Sequence, residues 1–201
     1  MKTAGIVLAG GLSSRFGSPK AFAEWGGRYF YELSVDALSP LCKEIVIVTR
    51  PELLERFPEK MHVTTDVEEF AGQGPIAGIL SGMKKVKADR YIVLPCDMPF
   101  MTADVIERLL ECHSSGVTAV VLDGKYHPLV SVWDKIVLPD LQEALENGRR
   151  RVMDVQEKHG VRWIEGGLLT EGDAERIFTN ANTLDVLDSW IGVVDNGTNC
   201  R

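Results

Sequence analysis

The sequence contains no long apolar run and no pair of closely spaced cysteines. Its four cysteines are Cys42, Cys96, Cys112 and Cys200. Because none of them forms a C-x-x-C pair, the pattern argues against a zinc site and against a disulfide framework. No apolar stretch approaches the roughly 20 residues that span a bilayer, and the run after Lys2 is too short for a signal peptide. We therefore expect a cytosolic protein that has no membrane partner.

Basic residues are fewer than acidic ones. The chain has 22 Lys and Arg residues against 29 Asp and Glu residues, which gives a formal net charge of −7. This balance argues against nonspecific binding to nucleic acid. A site for phosphate groups would have to be locally positive, which makes Arg15, Lys20 and the run Arg149-Arg150-Arg151 informative.

Strand and helix patterns alternate along the chain. Apolar and β-branched runs predict strands at residues 4–9, 44–49, 62–64, 91–94, 117–122 and 128–133. Helical spacing and capping residues predict helices at residues 29–38, 75–86, 103–112, 138–146, 151–157 and 183–190. This alternation predicts a three-layer α/β fold, in which helices cover both faces of a mostly parallel sheet. We expect one domain over residues 1–192, followed by a mobile polar tail at residues 193–201.

A glycine-rich loop follows the first predicted strand. Gly10 and Gly11 permit a sharp turn with exposed backbone N–H groups, and Arg15 and Lys20 add two positive charges. Amide groups and cations together suit a polyphosphate. The spacing matches neither the P-loop nor the G-x-G-x-x-G dinucleotide pattern. The alternative is a glycine turn that carries a solvated arginine and lysine.

Two aspartates also follow predicted strands. Asp97 lies between Pro95 and Pro99, where a stiff backbone can hold its carboxylate against Mg²⁺; the alternative is an aspartate that braces the turn. Asp66 can accept hydrogen bonds from the edge of guanine or from ribose hydroxyls; the alternative is a solvated acidic loop. Ligands of parallel sheets bind beyond the carboxyl ends of the strands. The glycine loop, Asp66 and Asp97 therefore predict one shared site.

The second half of the chain offers a basic run and two asparagines. The arginines at 149–151 can clamp a phosphate, or they can be a solvated helix end. Asn180 and Asn182 would face the same side of an extended segment, although turn bonding or helix capping explains either one alone. His127 and the other histidines show no ligand spacing, which favours core or surface roles.

Six motifs occur in a characteristic order, and they are L-A-G-G-L-S-S-R-F-G-S-P-K, G-Q-G-P-I-A-G, P-C-D-M-P-F, H-P-L, G-R-R-R-V-M and N-A-N-T-L. Together they resemble the molybdenum cofactor guanylyltransferases over nearly the whole chain up to Trp190. Phe16, Ile76 and Arg149 depart from the usual residues of that family. The resemblance implies a Rossmann-like nucleotidyltransferase domain that transfers GMP from GTP to the terminal phosphate of molybdopterin and releases pyrophosphate.

The resemblance and the loop chemistry together predict the roles of individual residues. The predicted nucleotide-binding residues are Leu8, Ala9, Gly10, Gly11, Lys20, Asp66 and Asp97. The predicted residues for the pterin substrate are Gly74, Gly78, Arg150, Arg151, Asn180 and Asn182. The predicted catalytic residues are Arg15, Lys20 and Asp97, with Asp97 as the ligand of Mg²⁺ or, alternatively, Mn²⁺.

Two other functions share parts of this pattern. A cytidylyltransferase acting on the same pterin has the same glycine loop and C-D-x-P element, although G-R-R-R-V-M favours the guanylyl enzymes by resemblance. A nucleotide-binding carrier or chaperone would deliver the cofactor without catalysis. The resemblance further implies partners among the proteins of molybdenum insertion and molybdoenzyme maturation.

Overall fold

A seven-stranded sheet forms the centre of the protein in the computed structural model, which describes residues 1–11 and 19–181. The strands of the sheet are β1 (Thr3–Leu8), β4 (Glu44–Thr49), β5 (Val63–Thr65), β6 (Arg90–Pro95), β7 (Val117–Leu122), β8 (Lys125–Asp134) and β9 (Arg162–Glu165). A separate two-stranded ribbon consists of β2 (Glu24–Trp25) and β3 (Arg28–Tyr29). The strand order in the large sheet is β5-β4-β1-β6-β8-β7-β9.

The sheet is mostly parallel. Strand β1 pairs in parallel with both β4 and β6, β4 pairs in parallel with β5, and β7 pairs in parallel with β9. Strand β8 runs antiparallel to β6 and to β7, and among the described strands of this sheet it alone is reversed. The inner strands are apolar on both faces, as helices on both sides require. The predicted fold class is confirmed.

Six α-helices occur in the described residues. They are α1 (Phe30–Leu38), α2 (Pro75–Lys85), α3 (Ala103–Glu111), α4 (Leu138–Glu146), α5 (Val152–Lys158) and α6 (Ala174–Ile177). Helix α3 begins where predicted, with the Thr102 hydroxyl accepting a hydrogen bond from the Val105 N–H. None of the helices in the described ranges combines the length and the apolar character that crossing a bilayer requires.

Two apolar clusters place the helices on opposite faces of the sheet. Successive residues of a strand point to opposite faces, and β1 shows this alternation. Val7 belongs to the cluster that includes Leu38 of α1 and Ile106 of α3. Ile6 belongs to the cluster that includes Leu80 of α2, together with residues of α4 and α5. The first strand is therefore buried between two helical layers.

The β2–β3 ribbon was not predicted, and the large sheet differs from the prediction chiefly at β8 and β9. Strand β8 begins at Lys125, three residues before the predicted start, because Asp123 and Gly124 form a tight hairpin turn with φ values of 49° and 77°. Strand β9 was not predicted, since only four residues with charged ends form it. The predicted helix at 183–190 and the predicted tail at 193–201 lie outside the described residues.

Helix α2 packs so closely on β1 that its small residues are required. A Cβ atom added at Gly82 would lie 2.8 Å from Cγ2 of Ile6, whose side chain is fully buried. This contact is too short to form without movement of the Ile6 side chain, the sheet or the helix. The glycine therefore fixes the distance between α2 and the strand that leads into the glycine loop.

We expect Gly82→Ala to lower the free energy of unfolding by about 1–2 kcal/mol. Overpacking a core costs about 1–3 kcal/mol of stability. The higher helix propensity of alanine offsets up to about 1 kcal/mol of this loss. Urea denaturation of the two proteins measures the difference. Gly167→Ala is the control, because no atom lies within 4 Å of the added Cβ. Equal destabilisation by both substitutions would contradict this account.

Candidate active site

The carboxyl ends of four parallel strands form one edge of the sheet. Strands β5, β4, β1 and β6 lie side by side in that order. The chain passes from β1 outward to β4 and β5, and then returns to the other side of β1 as β6. This reversal creates a crevice between the ends of β1 and β6, where ligands of open α/β sheets bind. The glycine loop follows β1 and Asp97 follows β6, so both adjoin the crevice.

Hydrogen bonds hold the beginning of the glycine loop against its neighbours. The Ala9 N–H donates to the Val48 carbonyl at 2.8 Å, and the Thr49 hydroxyl donates to the Ala9 carbonyl at 3.2 Å. On the other side, the Cys96 N–H donates to the Leu8 carbonyl at 3.1 Å. The predicted nucleotide-binding residues Leu8 and Ala9 are thus fixed between β4 and β6, while Gly11 is exposed beyond them.

Lys20 and Asp97 form an ion pair across this crevice. Nζ of Lys20 lies 2.8 Å from Oδ2 of Asp97, and the two side chains are 16% and 17% exposed. The backbone carbonyl of Asp97 also accepts a hydrogen bond of 2.8 Å from the Ala181 N–H. The structure therefore brings together two of the predicted catalytic residues. The third, Arg15, lies outside the described residues.

Asp66 occupies the end of β5, partly buried against α2. Its Oδ2 accepts a hydrogen bond of 3.1 Å from the Gly72 N–H, and the next residue, Val67, donates its N–H to the Ser81 hydroxyl at 2.8 Å. Burial raises the pKa of the Asp66 carboxyl, and the bond from Gly72 opposes that shift to a smaller extent. The carboxyl group is held in place by α2 and the segment before it.

Gly78 of α2 lies beside Asp66. A Cβ atom added at Gly78 would be 2.9 Å from Cδ2 of Leu8 and 3.8 Å from Oδ1 of Asp66. Gly78 therefore adjoins two residues predicted to bind the nucleotide, although the sequence pattern associated it with the pterin. Gly74 is exposed in front of α2 and has a φ of 83°, a conformation that favours glycine.

Arg50 is a candidate that the sequence reasoning missed. It directly follows β4, and a Cβ atom at Gly10 would lie 3.7 Å from its Cγ. Its Nη1 pairs with Oε1 of Glu52 at 2.9 Å, whereas its buried Nε has no partner among the described residues. A cation immediately after a buried β-branched strand was the available signal, since that strand ends at the same edge as β1.

The arginine run lies between α4 and α5, and all three residues are exposed. Nη1 of Arg151 lies 3.5 Å from Oδ1 of Asp154, and Nε2 of Gln156 in the same helix donates to the Pro128 carbonyl at 2.8 Å. This contact joins α5 to the beginning of β8, at the same edge as the other candidates. Among the described residues, the arginine run makes no hydrogen bond or ion pair with Asp97.

Asn180 lines a cavity of about 240 Å³ next to Asp97. The neighbouring Ala181 bonds the Asp97 backbone, and Pro95 and Met98 on either side of Asp97 also line the cavity. The structure therefore brings Asn180 to the carboxyl edge, as the shared-site prediction requires. Asn182 lies outside the described residues.

The site is suited to a divalent ion that is held largely by substrate. No group of three or more His, Cys, Asp or Glu side chains within residues 1–11 and 19–181 is placed to hold a metal ion. Mg²⁺ commonly takes one or two protein carboxylates and completes its shell with phosphate oxygens and water. A single carboxylate beside a glycine loop fits that mode of binding, and Asp97 supplies one.

A mostly parallel sheet with a glycine loop, a lysine and a carboxylate at its switch point defines a nucleotide-binding α/β protein of the nucleotidyltransferase class. The family described as MobA-like NTP transferase domain matches residues 5–161, and this chain belongs to that family.

Relatives match over most of the chain. A protein of Bacillus subtilis (strain 168), named a probable molybdenum cofactor guanylyltransferase, is 38% identical over 189 residues, which cover 92% of each chain. A protein of Geobacillus sp. (strain WCH70) with the same name is 36% identical over 194 residues, which cover 94% of this chain and 98% of the relative.

A solved structure confirms the fold. The crystal structure of molybdopterin-guanine dinucleotide biosynthesis protein A from Archaeoglobus fulgidus has a TM-score of 0.78 to this chain at 24% identity. The match covers 96% of this chain and 99% of the other.

We expect Asp66→Asn to increase stability at neutral pH and to weaken GTP binding. Because folding raises this pKa, the stability contributed by the protonated carboxyl is present below the pKa of the unfolded chain and is lost as pH rises through the folded pKa. The stability advantage of the variant should therefore be larger at pH 7 than at pH 4. Denaturation at both pH values and a GTP titration measure the two effects.

Glu107→Gln is the control for this prediction, because it removes one negative charge from an exposed position on α3. We expect it to leave GTP affinity unchanged. If Asp66→Asn binds GTP as tightly as the wild type does, the assignment of Asp66 to the nucleotide site is wrong.

Proposed function

We propose that this protein transfers GMP from GTP to the terminal phosphate of molybdopterin, and releases pyrophosphate. The observation that carries the reaction class is the Lys20–Asp97 pair, with an Nζ–Oδ2 distance of 2.8 Å, at the switch point beside the glycine loop. The names of the relatives from Bacillus subtilis and Geobacillus support the choice of GTP and of the molybdenum cofactor.

The nucleotide would occupy the crevice between the glycine loop and Asp66. The residues that we assign to it are Leu8, Ala9, Gly10, Gly11, Lys20, Asp66 and Asp97. Exposed amides and a lysine suit the triphosphate. An ionised carboxylate is an acceptor only, so Asp66 can accept from the N1–H and N2–H₂ groups of guanine together. This pairing supports GTP over CTP, because cytosine offers no such pair of donors.

We assign the divalent ion to Asp97, with Mg²⁺ as the ion and Mn²⁺ as an alternative. A bound ion would neutralise negative charge on the phosphate groups during transfer. Because Asp97 supplies one carboxylate, we assign the remaining ligands of the ion to phosphate oxygens of the nucleotide and to water.

The chain would act mainly by positioning and by electrostatic stabilisation. An oxygen of the acceptor phosphate attacks the α-phosphorus of GTP, the bond from that phosphorus to the bridging oxygen breaks, and pyrophosphate leaves. Because the acceptor phosphate is already anionic near neutral pH, no strong general base is needed. Lys20, together with Arg15, would stabilise the charge on the leaving pyrophosphate. Arg50 adds a third cation beside Gly10.

The acceptor would bind on the opposite side of Asp97. We assign Arg150 and Arg151 to the pterin phosphate, and Asn180 and Asn182 to the remainder of that substrate. The exposed positions of the two arginines and the contact of Ala181 with Asp97 support this arrangement. For Gly74 and Gly78 we propose a role in shaping the substrate site, because Gly78 adjoins Leu8 and Asp66.

A pyrophosphate-release assay tests the reaction and both substrates. We expect release from GTP only when molybdopterin is present, and much slower release from CTP or ATP. Preference for CTP would indicate a cytidylyltransferase. Nucleotide binding without release of pyrophosphate under any combination would indicate a carrier.

We expect Asp97→Asn to reduce the rate of transfer by roughly 10²–10³-fold, which is the scale for loss of one key electrostatic group. The substitution keeps the shape of the side chain while removing its charge. Steady-state rates with saturating GTP and molybdopterin measure the effect. Asp36→Asn is the control, because Asp36 is exposed on α1 and pairs there with Arg28. A variant at Asp97 with nearly full activity would overturn the assignment.

A further inference from the structure

The cavity of about 240 Å³ at the beginning of β8 lies where the sheet departs from regular pairing. Between Ala119 and Val120 of β7, the register with β8 shifts by three residues, so residues 128–130 have no register partner on β7. Pro128 has no N–H to offer a sheet, and Gln156 of α5 donates to its carbonyl. This irregularity is stabilised by α5, and its residues line the cavity.

His127 lines the cavity with an unpaired polar atom. The residue is 4% exposed, and its buried Nε2 has no hydrogen-bond partner among the described residues. Its ring lies against Phe178, with the ring centres 5.6 Å apart. Buried polar atoms in native proteins are nearly always paired, and an unpaired one lowers stability. A ligand in the cavity would supply the missing partner.

The environment disfavours the charged form of the His127 ring. Burial lowers the pKa of this histidine, and the nearby Lys125 lowers it further. A neutral imidazole has one N–H donor and one acceptor nitrogen. Such a group matches a neutral nitrogen or oxygen at the edge of a ligand, rather than a phosphate group.

The other lining residues suit a flat heterocycle that carries a negative charge. Asn180 offers both a donor and an acceptor, and Lys125 offers a cation. Tyr126 is 51% exposed, and its ring meets Trp163 edge to face with centres 4.7 Å apart. An exposed aromatic ring beside the cavity gives a planar ligand a surface to stack on.

The position of the cavity separates it from the nucleotide. Asp66 follows β5, which lies three strands from β6, while the cavity adjoins β8 on the other side of β6. Adjacent strands are about 4.8 Å apart, so Asp66 and the cavity lie on opposite sides of Asp97. Two substrates bound at these places would approach Asp97 from opposite directions.

We infer that this cavity binds the heterocyclic end of the acceptor substrate, and that His127 recognises a neutral polar atom on the edge of that heterocycle. The inference rests on the proposed function for the identity of the acceptor, and it adds a specificity-determining residue beside Asn180. The nitrogen-rich edge of a pterin can supply the partner that Nε2 of His127 lacks among the described residues, and Asn180 can bond the same edge.

Binding of neopterin monophosphate, a fluorescent pterin that carries a phosphate ester, tests the inference with the full-length protein. We expect His127→Leu to weaken binding by roughly 3- to 10-fold, the scale of one neutral hydrogen bond. His127→Gln, which keeps a hydrogen-bonding group near the position of Nε2, should recover most of the affinity. GTP affinity should be unchanged in both variants, and the KM for molybdopterin should rise more than kcat falls.

Stability separates recognition from a structural role. Removing an unpaired buried polar atom should leave His127→Leu at least as resistant to urea as the wild type. His113→Leu is the matched control, because the side chain of His113 is 2% exposed and both ring nitrogens are paired, with Thr118 and Asp134. We expect that control to lose stability and to keep its affinity for the pterin.

Each outcome decides between the two proposals. If the wild type binds the pterin and His127→Leu binds it equally well, the inference is wrong and the proposed function stands. If His127→Leu loses stability and affinity for GTP as well, His127 is a structural residue and the inference is wrong. If the wild type neither binds the pterin nor releases pyrophosphate with molybdopterin, the proposed function fails and the inference fails with it.

Discussion

The ion pair between Lys20 and Asp97 is the interaction on which the arrangement of the site depends. It joins two segments that are 77 residues apart in the chain, the exit of the glycine loop and the end of β6. Both side chains are largely withdrawn from water, and a charge in such a place is costly unless it is paired. The pair therefore holds the loop exit against the strand end. Phosphate groups in the crevice would offer Lys20 new partners, and an ion at Asp97 would replace the charge that Lys20 supplies.

The reversed direction of strand β8 determines which residues lie on the far side of Asp97 from Asp66. In the parallel part of the sheet, the ends of β1, β4 and β5 provide backbone amides, Arg50 and Asp66 on one side of Asp97. A further parallel strand beside β6 would have continued that pattern. Instead β8 runs antiparallel and brings its first residues to the same edge, which places His127 and Lys125 beside a strand end. The topology thus provides chemically different surfaces on the two sides of one carboxylate.

The features that local pattern encodes were predictable from the sequence. The β-branched runs predicted the main strands, and their alternation with helices predicted that the glycine loop, Asp66 and Asp97 would share an edge, as they do. The early start of β8 had a signal in the turn dipeptide Asp123-Gly124, but the prediction took Pro128 as the first residue of the strand. Its pairing begins earlier because Asp123 and Gly124 both adopt a positive φ and form a two-residue turn. His127 was assigned to the core or the surface, since neither the register shift nor the cavity leaves a trace in residue spacing. Arg50 was missed because its signal, a cation directly after a β-branched strand, is too weak to single out one residue.

Charge and volume alone would have indicated a different site. A cavity of about 690 Å³ at the opposite edge of the sheet is larger, and its lining includes the four lysines Lys2, Lys84, Lys87 and Lys135. Two of these lysines already have carboxylate partners, since Lys2 pairs with Glu44 and Lys135 with Asp89.

None of the buried, unpaired side-chain atoms found in the described ranges belongs to a residue that lines this cavity. Its edge is formed by the amino end of β1 and the residues around it, where no switch-point crevice forms. At the carboxyl edge, Arg50 and His127 have buried atoms without a partner in residues 1–11 and 19–181, and at the amino edge Nε of Arg90 is such an atom as well. What distinguishes the carboxyl edge is that such atoms occur there together with the glycine loop, the Lys20–Asp97 pair and the switch point of the sheet.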